Sequence, residues 1–478
     1  MNAPLQPDLA ARAARQAEVV AALGAVAPPH ILLWQPEEVT PYECDGLSAY
    51  RRKPLVVVLP ETEAQVAAVL KACHKLNVPV VARGAGTGLS GGALPNEDGV
   101  LLALARFNRI KRIDPIARTA TAECGVRNLA ISEAAAPHGL FYAPDPSSQI
   151  ACTIGGNIAE NSGGVHCLKY GLTVHNVLQV RGYTVEGEPL TLGGLACDCP
   201  GPDLLAAVIG SEGMLMVVTE VTVKLLPKPV LARCIMASFD DLRKAGDAVA
   251  AIIAAGIIPA GLEMMDQPMT VCESDGTPEE VEEEIGRMTE VLSRCGATKL
   301  KCSESEAERL RFWSGRKNAF PATGRISPDY YCMDGTIPRK RVADMLEAIQ
   351  GMESKYGLRC VNVFHAGDGN LHPLILFDAN QPGELHRAEE FGAEILETSV
   401  AMGGTVTGEH GVGFEKINAM CVQFSPEERE QFFAFRRAFD PGETLNPGKQ
   451  IPTHARCAEY GKMHVRGGLL PFPNLPRF

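Results

Sequence analysis

The chain has 478 residues, of which 46% are hydrophobic and 21% are charged, and its formal net charge is −12. This length is too great for one compact core, so two or three domains are expected. The acidic balance and the absence of Lys/Arg runs exclude the basic surface typical of nucleic-acid binding, and no secretory signal or membrane-spanning apolar stretch is visible, so a cytoplasmic protein is expected.

The fifteen cysteines are scattered singly apart from the close pair Cys197 and Cys199. Neither the spacing of a zinc ribbon nor that of an iron–sulfur ligand run is present. In a reducing compartment such cysteines are expected to be free thiols that are buried as small apolar groups. No cysteine is therefore predicted to take part in the chemistry.

The first half of the chain begins with an Ala-rich segment that predicts a helix. An apolar, β-branched strand is predicted at 54–60 and an amphipathic helix at 62–77, for which Thr62 is a suitable N-cap. A second strand, at 78–82, leads directly into a glycine-rich loop. Further strands are predicted at 100–103 and 119–123, with a helix at 129–135. This order is typical of an α+β fold rather than of strict βα alternation.

The glycine-rich loop at 83–92 has the sequence RGAGTGLSGG. Five glycines in ten residues allow consecutive backbone N–H groups to face one anion, and such a nest suits a diphosphate. Gly86, Gly88 and Gly91 match the dinucleotide-binding pattern G-x-G-x-x-G, but that pattern requires a helix to begin within the loop. Gly92 and Pro95 argue against such a helix, so a Rossmann site is not predicted. A flexible loop without a ligand is the alternative.

A second glycine cluster lies at 153–164 and a third at 210–215, and each of them taken singly could be only a turn. The order of the three elements, with Pro-Asp-Pro-Ser-Ser at 144–148 before the second, resembles the FAD-binding domain of vanillyl-alcohol-oxidase-type flavoproteins. The resemblance implies that the first loop holds the FAD diphosphate and that the later clusters line the pocket of the isoalloxazine ring. The first loop has no histidine, so non-covalent FAD is implied. The implied FAD-binding residues are Arg83, Gly84, Ala85, Gly86, Thr87, Gly88, Leu89, Ser90, Pro144, Asp145, Ser148, Thr153, Gly155, Gly156, Asn157, Asn161, Gly163, Gly164, Glu212, Gly213 and Asn446.

The character of the chain changes after the proline-containing segment 227–230, which is a plausible hinge. Long amphipathic helices are predicted at 278–294 and 339–356, and strands at 232–239 and 360–364. Three regions are therefore predicted: an FAD-binding domain of two subdomains at 1–228, an α+β substrate (cap) domain at 229–403, and a segment at 404–478 that packs back on both and completes the active site.

The segment His365-Ala-Gly-Asp-Gly-Asn-Leu-His372 lies between two apolar strand-like runs. If Asp368 and Gly369 are the central residues of a two-residue hairpin, His365 lies directly opposite His372, with Cβ atoms roughly 5 Å apart. Two imidazoles at that distance are well placed to share a divalent metal, and Glu409 could supply a carboxylate as the third ligand. The alternative is that the two histidines only satisfy each other and the turn.

These motifs resemble the metal-containing 2-hydroxy-acid dehydrogenases of the same flavoprotein family. The resemblance implies that His365, His372 and Glu409 bind a divalent metal such as Zn, Mn or Fe, that His410 is the catalytic base, and that Arg316 binds the substrate carboxylate. Without the resemblance, Arg316 could equally be a solvated helix residue. The relatives that act on 2-hydroxyglutarate have a lysine where this chain has Cys332, so a dicarboxylate substrate is not expected.

The resemblance to bacterial glycolate oxidase flavoprotein subunits extends over nearly the whole chain, including 143–152, 325–334 and 446–478, although the segment between Met265 and Glu273 is shorter here. It implies oxidation of glycolate to glyoxylate, a second flavin-family subunit and an iron–sulfur subunit as partners, and an indirect association with the inner membrane through them. A D-lactate dehydrogenase is the nearest alternative. A metal-dependent hydrolase and an inactive flavin-binding subunit are alternatives of another class.

Overall fold

The computed structural model describes residues 9–196, 201–265 and 269–452. Within these ranges helices and strands are mixed, and most of the strand pairs are antiparallel. None of the helices in these ranges is long and apolar enough to cross a membrane.

Two sheets are formed by the first half of the chain. The first has the order β1-β2-β4-β3, in which β2 and β3 run parallel to β4 and β1 runs antiparallel to β2. The second has the order β5-β6-β10-β8-β9 and is antiparallel, and β7 pairs separately with β11. The strands are β1 (Leu32–Leu33), β2 (Val56–Val58), β3 (Val80–Arg83), β4 (Val100–Ala103), β5 (Ile110–Asp114), β6 (Thr119–Glu123), β7 (Leu140–Phe141), β8 (Val177–Tyr183), β9 (Pro189–Gly193), β10 (Val217–Lys224) and β11 (Leu226–Pro227).

The helices of this half are short apart from the first and the third. They are α1 (Leu9–Gly24), α2 (Pro36–Val39), α3 (Glu63–Lys75), α4 (Asn128–Ala135), α5 (Ile154–Glu160), α6 (Cys167–Tyr170), α7 (Thr173–Asn176) and α8 (Leu204–Val208), with 3-10 turns at Pro29–Ile31, Thr40–Tyr42 and Ala136–His138.

The predicted β-α-β opening is confirmed. The three valines of β2 are fully buried, and α3 begins where Thr62 accepts a hydrogen bond from the Gln65 backbone N–H as its N-cap. Since β3 ends at Arg83, the glycine-rich loop begins at the carboxyl end of this strand.

The second half of the chain builds one large sheet with the order β15-β12-β14-β13-β18-β20-β16. The pairs are antiparallel, and β12 pairs with β14 over eight residues from Leu231↔Gly276 to Ser238↔Met269. The strands are β12 (Leu231–Ser238), β13 (Gly261–Met265), β14 (Met269–Gly276), β15 (Lys299–Cys302), β16 (Asp329–Cys332), β18 (Cys360–Phe364) and β20 (Pro373–Phe377), while β17 (Gly335–Thr336) pairs with β19 (Asn370–Leu371) outside it.

Apolar faces of long helices pack with this sheet in one continuous core. The predicted helix at 278–294 is confirmed. It begins at Pro278 because Thr277 and Glu280 form a capping box and proline is favoured in the first turn. The helices are α9 (Leu242–Ala254), α10 (Pro278–Arg294), α11 (Glu306–Lys317), α12 (Ala319–Thr323), α13 (Val342–Tyr356), α14 (Glu384–Ala401), α15 (Met420–Gln423) and α16 (Pro426–Phe439), with a 3-10 turn at Arg339–Arg341.

Three predicted features have specific outcomes. The hinge at 227–230 lies between β11 and β12. The shortened segment falls between β13 and β14, which pair directly, although residues 266–268 lie outside the described ranges. Eleven cysteines in the described ranges are free, as expected, and eight of these are also buried, whereas Cys44, Cys295 and Cys302 are only partly buried. The expectation was wrong for Cys421, which is disulfide-bonded. The domain boundaries at 228 and 403 stay a prediction.

The chain after residue 403 returns to the first sheet. The backbone N–H of Val80 donates to the Thr444 carbonyl, and that of Asn446 donates to the Val80 carbonyl, which forms a parallel bridge between Val80 and Leu445. The described part of this segment ends at residue 452, so the proline-rich end at 471–476 lies outside the described residues.

Candidate active site

A cavity of about 620 Å³ lies where the glycine-rich loop faces residues from both halves of the chain. The loop from Arg83 to Leu89 lines it continuously. Most of the predicted FAD-binding residues line it, namely Arg83, Gly84, Ala85, Gly86, Thr87, Gly88, Leu89, Asp145, Ser148, Thr153, Gly155, Gly156, Asn157, Glu212 and Gly213. The same wall contains Arg316, His372, Glu409 and His410.

Six predicted FAD-binding residues do not line the cavity: Ser90, Pro144, Asn161, Gly163, Gly164 and Asn446. Two of them show what they contact instead. Asn446 donates from its side-chain amide to the carbonyls of Gly92 and Glu212, and the carbonyl of Ser90 accepts from the Phe414 and Glu415 backbone. Asn446 thereby fixes two residues that line the cavity, Gly92 and Glu212.

Some glycines of the wall are required by close packing or by their backbone conformation. A Cβ at Gly84 would lie 2.1 Å from the Thr153 hydroxyl, and Gly86 has a φ of +70°, which a side chain disfavours. Gly88 differs from them, since a Cβ there would meet nothing within 4 Å. Among the described residues, none fills the space beside Gly88, which opens to the cavity.

Two buried polar atoms of cavity-lining residues have no protein partner within the described ranges, the Asn157 Nδ2 and the Glu160 Oε2. Buried polar atoms nearly always have partners, so such atoms indicate a polar ligand. The open backbone beside Gly88 and these two orphaned atoms fit a large cofactor with hydrogen-bonding edges.

The predicted hairpin register at the histidine motif was wrong by two residues. β18 and β20 pair through Val361↔Leu374 and its neighbours. In the same register an isolated bridge joins His365 to Asn370, so that His365 does not lie directly opposite His372. The turn has four central residues instead of two. Because side chains alternate along a strand, a shift of two residues keeps His372 on the face of His365, as its diagonal neighbour.

The two imidazoles are therefore still adjacent, with ring centroids 5.1 Å apart. Glu409 Oε1 lies 3.3 Å from the Nε2 of His365 and 3.3 Å from the Nε2 of His372. Nitrogen and oxygen atoms of these three side chains all lie within 4.8 Å of one another, in a buried position. This donor set, two imidazoles and one carboxylate, fits a divalent transition metal and leaves positions open for a substrate.

The neighbouring imidazoles keep Glu409 ionised despite its burial. Burial alone would raise the pKa of Glu409, but the neighbouring His365, His372 and His410 lower that pKa to about 2. The His410 ring stacks on His372 at 4.7 Å, and burial lowers the pKa of His410 to about 4, against the opposing effect of Asp334.

Asp334 was not found by sequence reasoning. It is fully buried after β16, and its carboxylate accepts hydrogen bonds from the backbone N–H groups of Gly408, Glu409 and His410. Lys416 donates to the same carboxylate. This one side chain thus holds three consecutive backbone N–H groups of the loop that carries Glu409 and His410. No local signal marks this role, since any aspartate after a strand looks the same.

Arg316 lies on α11 and is only 3% exposed, so the solvated-residue alternative was wrong. Its Nε donates to Glu263 Oε2 at 2.7 Å, and Glu263 Oε1 lies 2.7 Å from the Nδ1 of His365. Burial would raise the pKa of Glu263, but His365 and Arg316 lower it below its usual value. Sequence reasoning missed Glu263, because one acidic residue in an otherwise apolar strand carries no motif.

Comparison with known proteins supports the same reading of the cavity. Residues 54–193 match the family model described as FAD binding domain, and residues 228–450 match that of FAD linked oxidases, C-terminal domain. The glycolate oxidase subunit GlcD of Escherichia coli strain K12 is 61% identical over 94% of this chain and 93% of its own. The chain belongs to the family of FAD-linked oxidases. The resemblance predicted from the glycine clusters is confirmed.

Other relatives are more distant. GlcD of Bacillus subtilis is 38% identical over 87% of this chain and 93% of its own, and a D-lactate dehydrogenase of Archaeoglobus fulgidus is 30% identical over 83% and 91%. Among solved structures, 4-ethylphenol oxidase from Gulosibacter chungangensis has a TM-score of 0.78 at 15% identity and covers 93% of this chain and 98% of its own. The predicted α+β fold of the vanillyl-alcohol-oxidase type is confirmed, and the protein is an FAD-linked oxidoreductase.

Proposed function

We propose that this FAD-linked oxidase oxidises glycolate to glyoxylate. The observation that supports this most is the placement of Arg316, His372, Glu409 and His410 on the wall of the cavity that the glycine-rich loop forms. One wall thus offers a cation for a carboxylate, donors for a metal and a base for a hydroxyl. The 61% identity to a glycolate oxidase subunit favours glycolate as the substrate.

Each side chain has a role in this proposal. Arg316 binds the substrate carboxylate through its two terminal nitrogens, since its Nε is already bonded to Glu263. His365, His372 and Glu409 hold a divalent cation, Zn, Mn or Fe, which when bound lowers the pKa of the 2-hydroxyl. His410 accepts the hydroxyl proton. FAD, when bound, supplies the acceptor for the hydride of C2.

The FAD is proposed to be non-covalent. Its diphosphate is placed along 83–90, where the backbone is open and histidine is absent. Acid precipitation of the protein is then expected to leave the yellow colour in the supernatant.

D-lactate is the second candidate substrate, because relatives of about 30% identity are named D-lactate dehydrogenases and the same constellation would serve. A dicarboxylate is disfavoured, because Cys332 is a buried thiol packed against Trp313 and Leu374 and offers no cation for a second carboxylate.

The proposal is tested by anaerobic bleaching of the flavin with glycolate, D-lactate, L-lactate and D-2-hydroxyglutarate. Glycolate is expected to bleach the yellow protein fastest. Faster bleaching by D-lactate would support the second candidate. A protein that stays yellow with every acid would be an inactive flavin-binding subunit, and a colourless one that hydrolyses esters would be a metal-dependent hydrolase.

Relatives of 61% and 38% identity are named as subunits of glycolate oxidase. We therefore propose that this protein works in the cytoplasm beside a second flavin-family subunit and an iron–sulfur subunit, through which it associates with the inner membrane. The twelve described cysteines offer no iron–sulfur ligand cluster of their own, so the electrons need such a carrier.

A further inference from the structure

We propose that Glu263 is a positioning residue whose single carboxylate orients both a metal-ligating histidine and the substrate-binding arginine. This inference rests on the proposed function, because it takes the roles of His365 and Arg316 from there. Glu263 itself is not at the cavity surface and is only 1% exposed.

The sheet places Glu263 beside the metal-ligating histidine. β13 and β18 pair through Met264↔Phe364 and Met265↔Val363, and the same register continued by one residue puts Glu263 opposite His365. Directly opposed residues of an antiparallel pair point to one face with their Cβ atoms about 5 Å apart. Glu263 Oε1 accordingly lies 2.7 Å from His365 Nδ1.

This contact decides which imidazole nitrogen can bind a metal. With Nδ1–H donated to Glu263, the lone pair of Nε2 is directed to the side of Glu409 and His372. A carboxylate behind a ligating histidine is a recurring arrangement that fixes the ring and makes the nitrogen more basic, and its loss typically costs 10- to 100-fold in metal affinity.

The second oxygen of the same carboxylate decides how Arg316 binds its ligand. Its Oε2 accepts from the Arg316 Nε at 2.7 Å, which occupies one edge of the guanidinium. Hydrogen bonds from the two terminal nitrogens to other described residues are absent. They are therefore the donors available to a substrate carboxylate in the cavity, and a substrate must approach them end-on.

Glu263→Gln is the sharpest test, because the volume is kept while an amide has only one acceptor atom for two donors, Arg316 Nε–H and His365 Nδ1–H. Glu273→Gln is the matched control. Glu273 lies on the neighbouring strand β14, is 2% exposed, and bonds Arg309 of the same helix α11 together with a histidine, His166. Glu273→Gln therefore disturbs a similar buried carboxylate, which also bonds one arginine and one histidine, but which does not contact the proposed metal ligands among the described residues.

Zinc affinity is measured by competition with a chelator, and steady-state kinetics are measured with glycolate at saturating zinc. Glu263→Gln is expected to weaken zinc binding 10- to 100-fold and to raise KM about tenfold, whereas Glu273→Gln keeps wild-type zinc affinity within about twofold. Wild-type zinc affinity in Glu263→Gln, or an equal loss in the control, would overturn the proposal.

A measurement on the wild-type protein covers the case in which Glu263→Gln does not fold. In ¹⁵N spectra of the zinc-loaded protein, His365 is expected to carry its proton on Nδ1 and the metal on Nε2. Metal on Nδ1 would overturn the proposal. Failure of glycolate to bleach the wild-type flavin would refute the proposed substrate instead, since the zinc measurements do not depend on it.

Discussion

The Nζ of Lys416 lies 2.9 Å from the Oδ2 of Asp334, and neither side chain is more than 2% exposed. The same carboxylate holds the backbone of the loop that carries Glu409 and His410. A buried ion pair of this kind stabilises the fold little more than a well-packed apolar pair would, but removal of one partner is costly because it leaves an unpaired buried charge.

Asp334→Asn is therefore expected to lower the free energy of unfolding by about 3–5 kcal/mol, because Lys416 loses its counter-charge and the loop loses acceptors. Urea denaturation followed by circular dichroism measures the change. Asp240→Asn is the control, since Asp240 is exposed and among the described residues forms an ion pair with Lys244 alone, four residues away, so no measurable change is expected there. Equal midpoints for all three proteins would contradict the anchoring role.

The stability of the contact between the two halves of the chain is expected to depend on acid pH through Glu273. Burial raises the pKa of Glu273, but His166 and Arg309 lower it to about 2, below the value of about 4 in an unfolded chain. A lowered folded pKa contributes stability above the unfolded pKa, and this stability is lost as pH falls toward 2.

Between pH 5 and pH 2 the free energy of unfolding should therefore fall by about 3 kcal/mol more in the wild type than in Glu273→Gln. His166 is protonated in the folded and unfolded states over this window, because its folded pKa is raised well above its usual value. The difference thus reports Glu273. Parallel pH profiles for the two proteins would contradict the assignment.

Gly88→Ala is expected to weaken FAD binding without changing the stability of the folded protein. A Cβ at 88 meets no protein atom within 4 Å, so the melting temperature without FAD should be unchanged, while FAD binding should weaken at least tenfold if the cofactor passes close to this backbone. Fluorescence titration of the apoprotein with FAD measures the affinity. Gly286→Ala is the control, because Gly286 lies on α10 away from the cavity and its Cβ position is also open.

His410→Ala is expected to leave FAD bound and to slow its reduction by glycolate roughly 100-fold or more, the scale of a lost general base. Stopped-flow absorbance under anaerobic conditions measures the rate. His386→Ala, at an exposed position of α14, should reduce at the wild-type rate. If His410→Ala also reduced at that rate, another group would have to accept the proton.

The isolated protein is expected to pass electrons readily to a small artificial dye and slowly to oxygen, since its proposed acceptors are partner subunits. Dye reduction and peroxide release are compared on one preparation under glycolate. Peroxide formed as fast as the dye is reduced would show a self-sufficient oxidase, and quinone reduction that needs no partner would show the same.

Local signals predicted much of the fold. Strand Cys360–Phe364 and helix Pro278–Arg294 were predicted at their observed bounds, because a β-branched run and a capped apolar stripe are encoded within a few residues. The glycine clusters likewise predicted the cavity wall. Glu263 and Asp334 could not be predicted, because their roles come from strand partners and a loop about 75 to 100 residues away.

At the histidine motif the predicted strand register was wrong, yet His365 and His372 are adjacent as predicted. A two-residue turn and a four-residue turn are both compatible with glycines at 367 and 369, and only the long-range pairing of β18 with β20 selects between them. The two turns differ in register by two residues, and side chains two residues apart lie on the same face of a strand. The sequence therefore predicted that His365 and His372 share a face, but it did not predict the direct strand partner of His365, which is Asn370.

The wall of the cavity is supported by residues from the last part of the described chain. Asn446 and Lys449 both bond the carbonyl of Gly92, about 350 residues earlier, and Leu445 lies beside Val80 at the root of the glycine-rich loop. A chain still emerging from the ribosome lacks these supports. Capture of the cofactor is thus a late event in biogenesis, so that a polypeptide interrupted by a premature stop before residue 445 would accumulate as a colourless protein even with its whole nucleotide-binding sequence present.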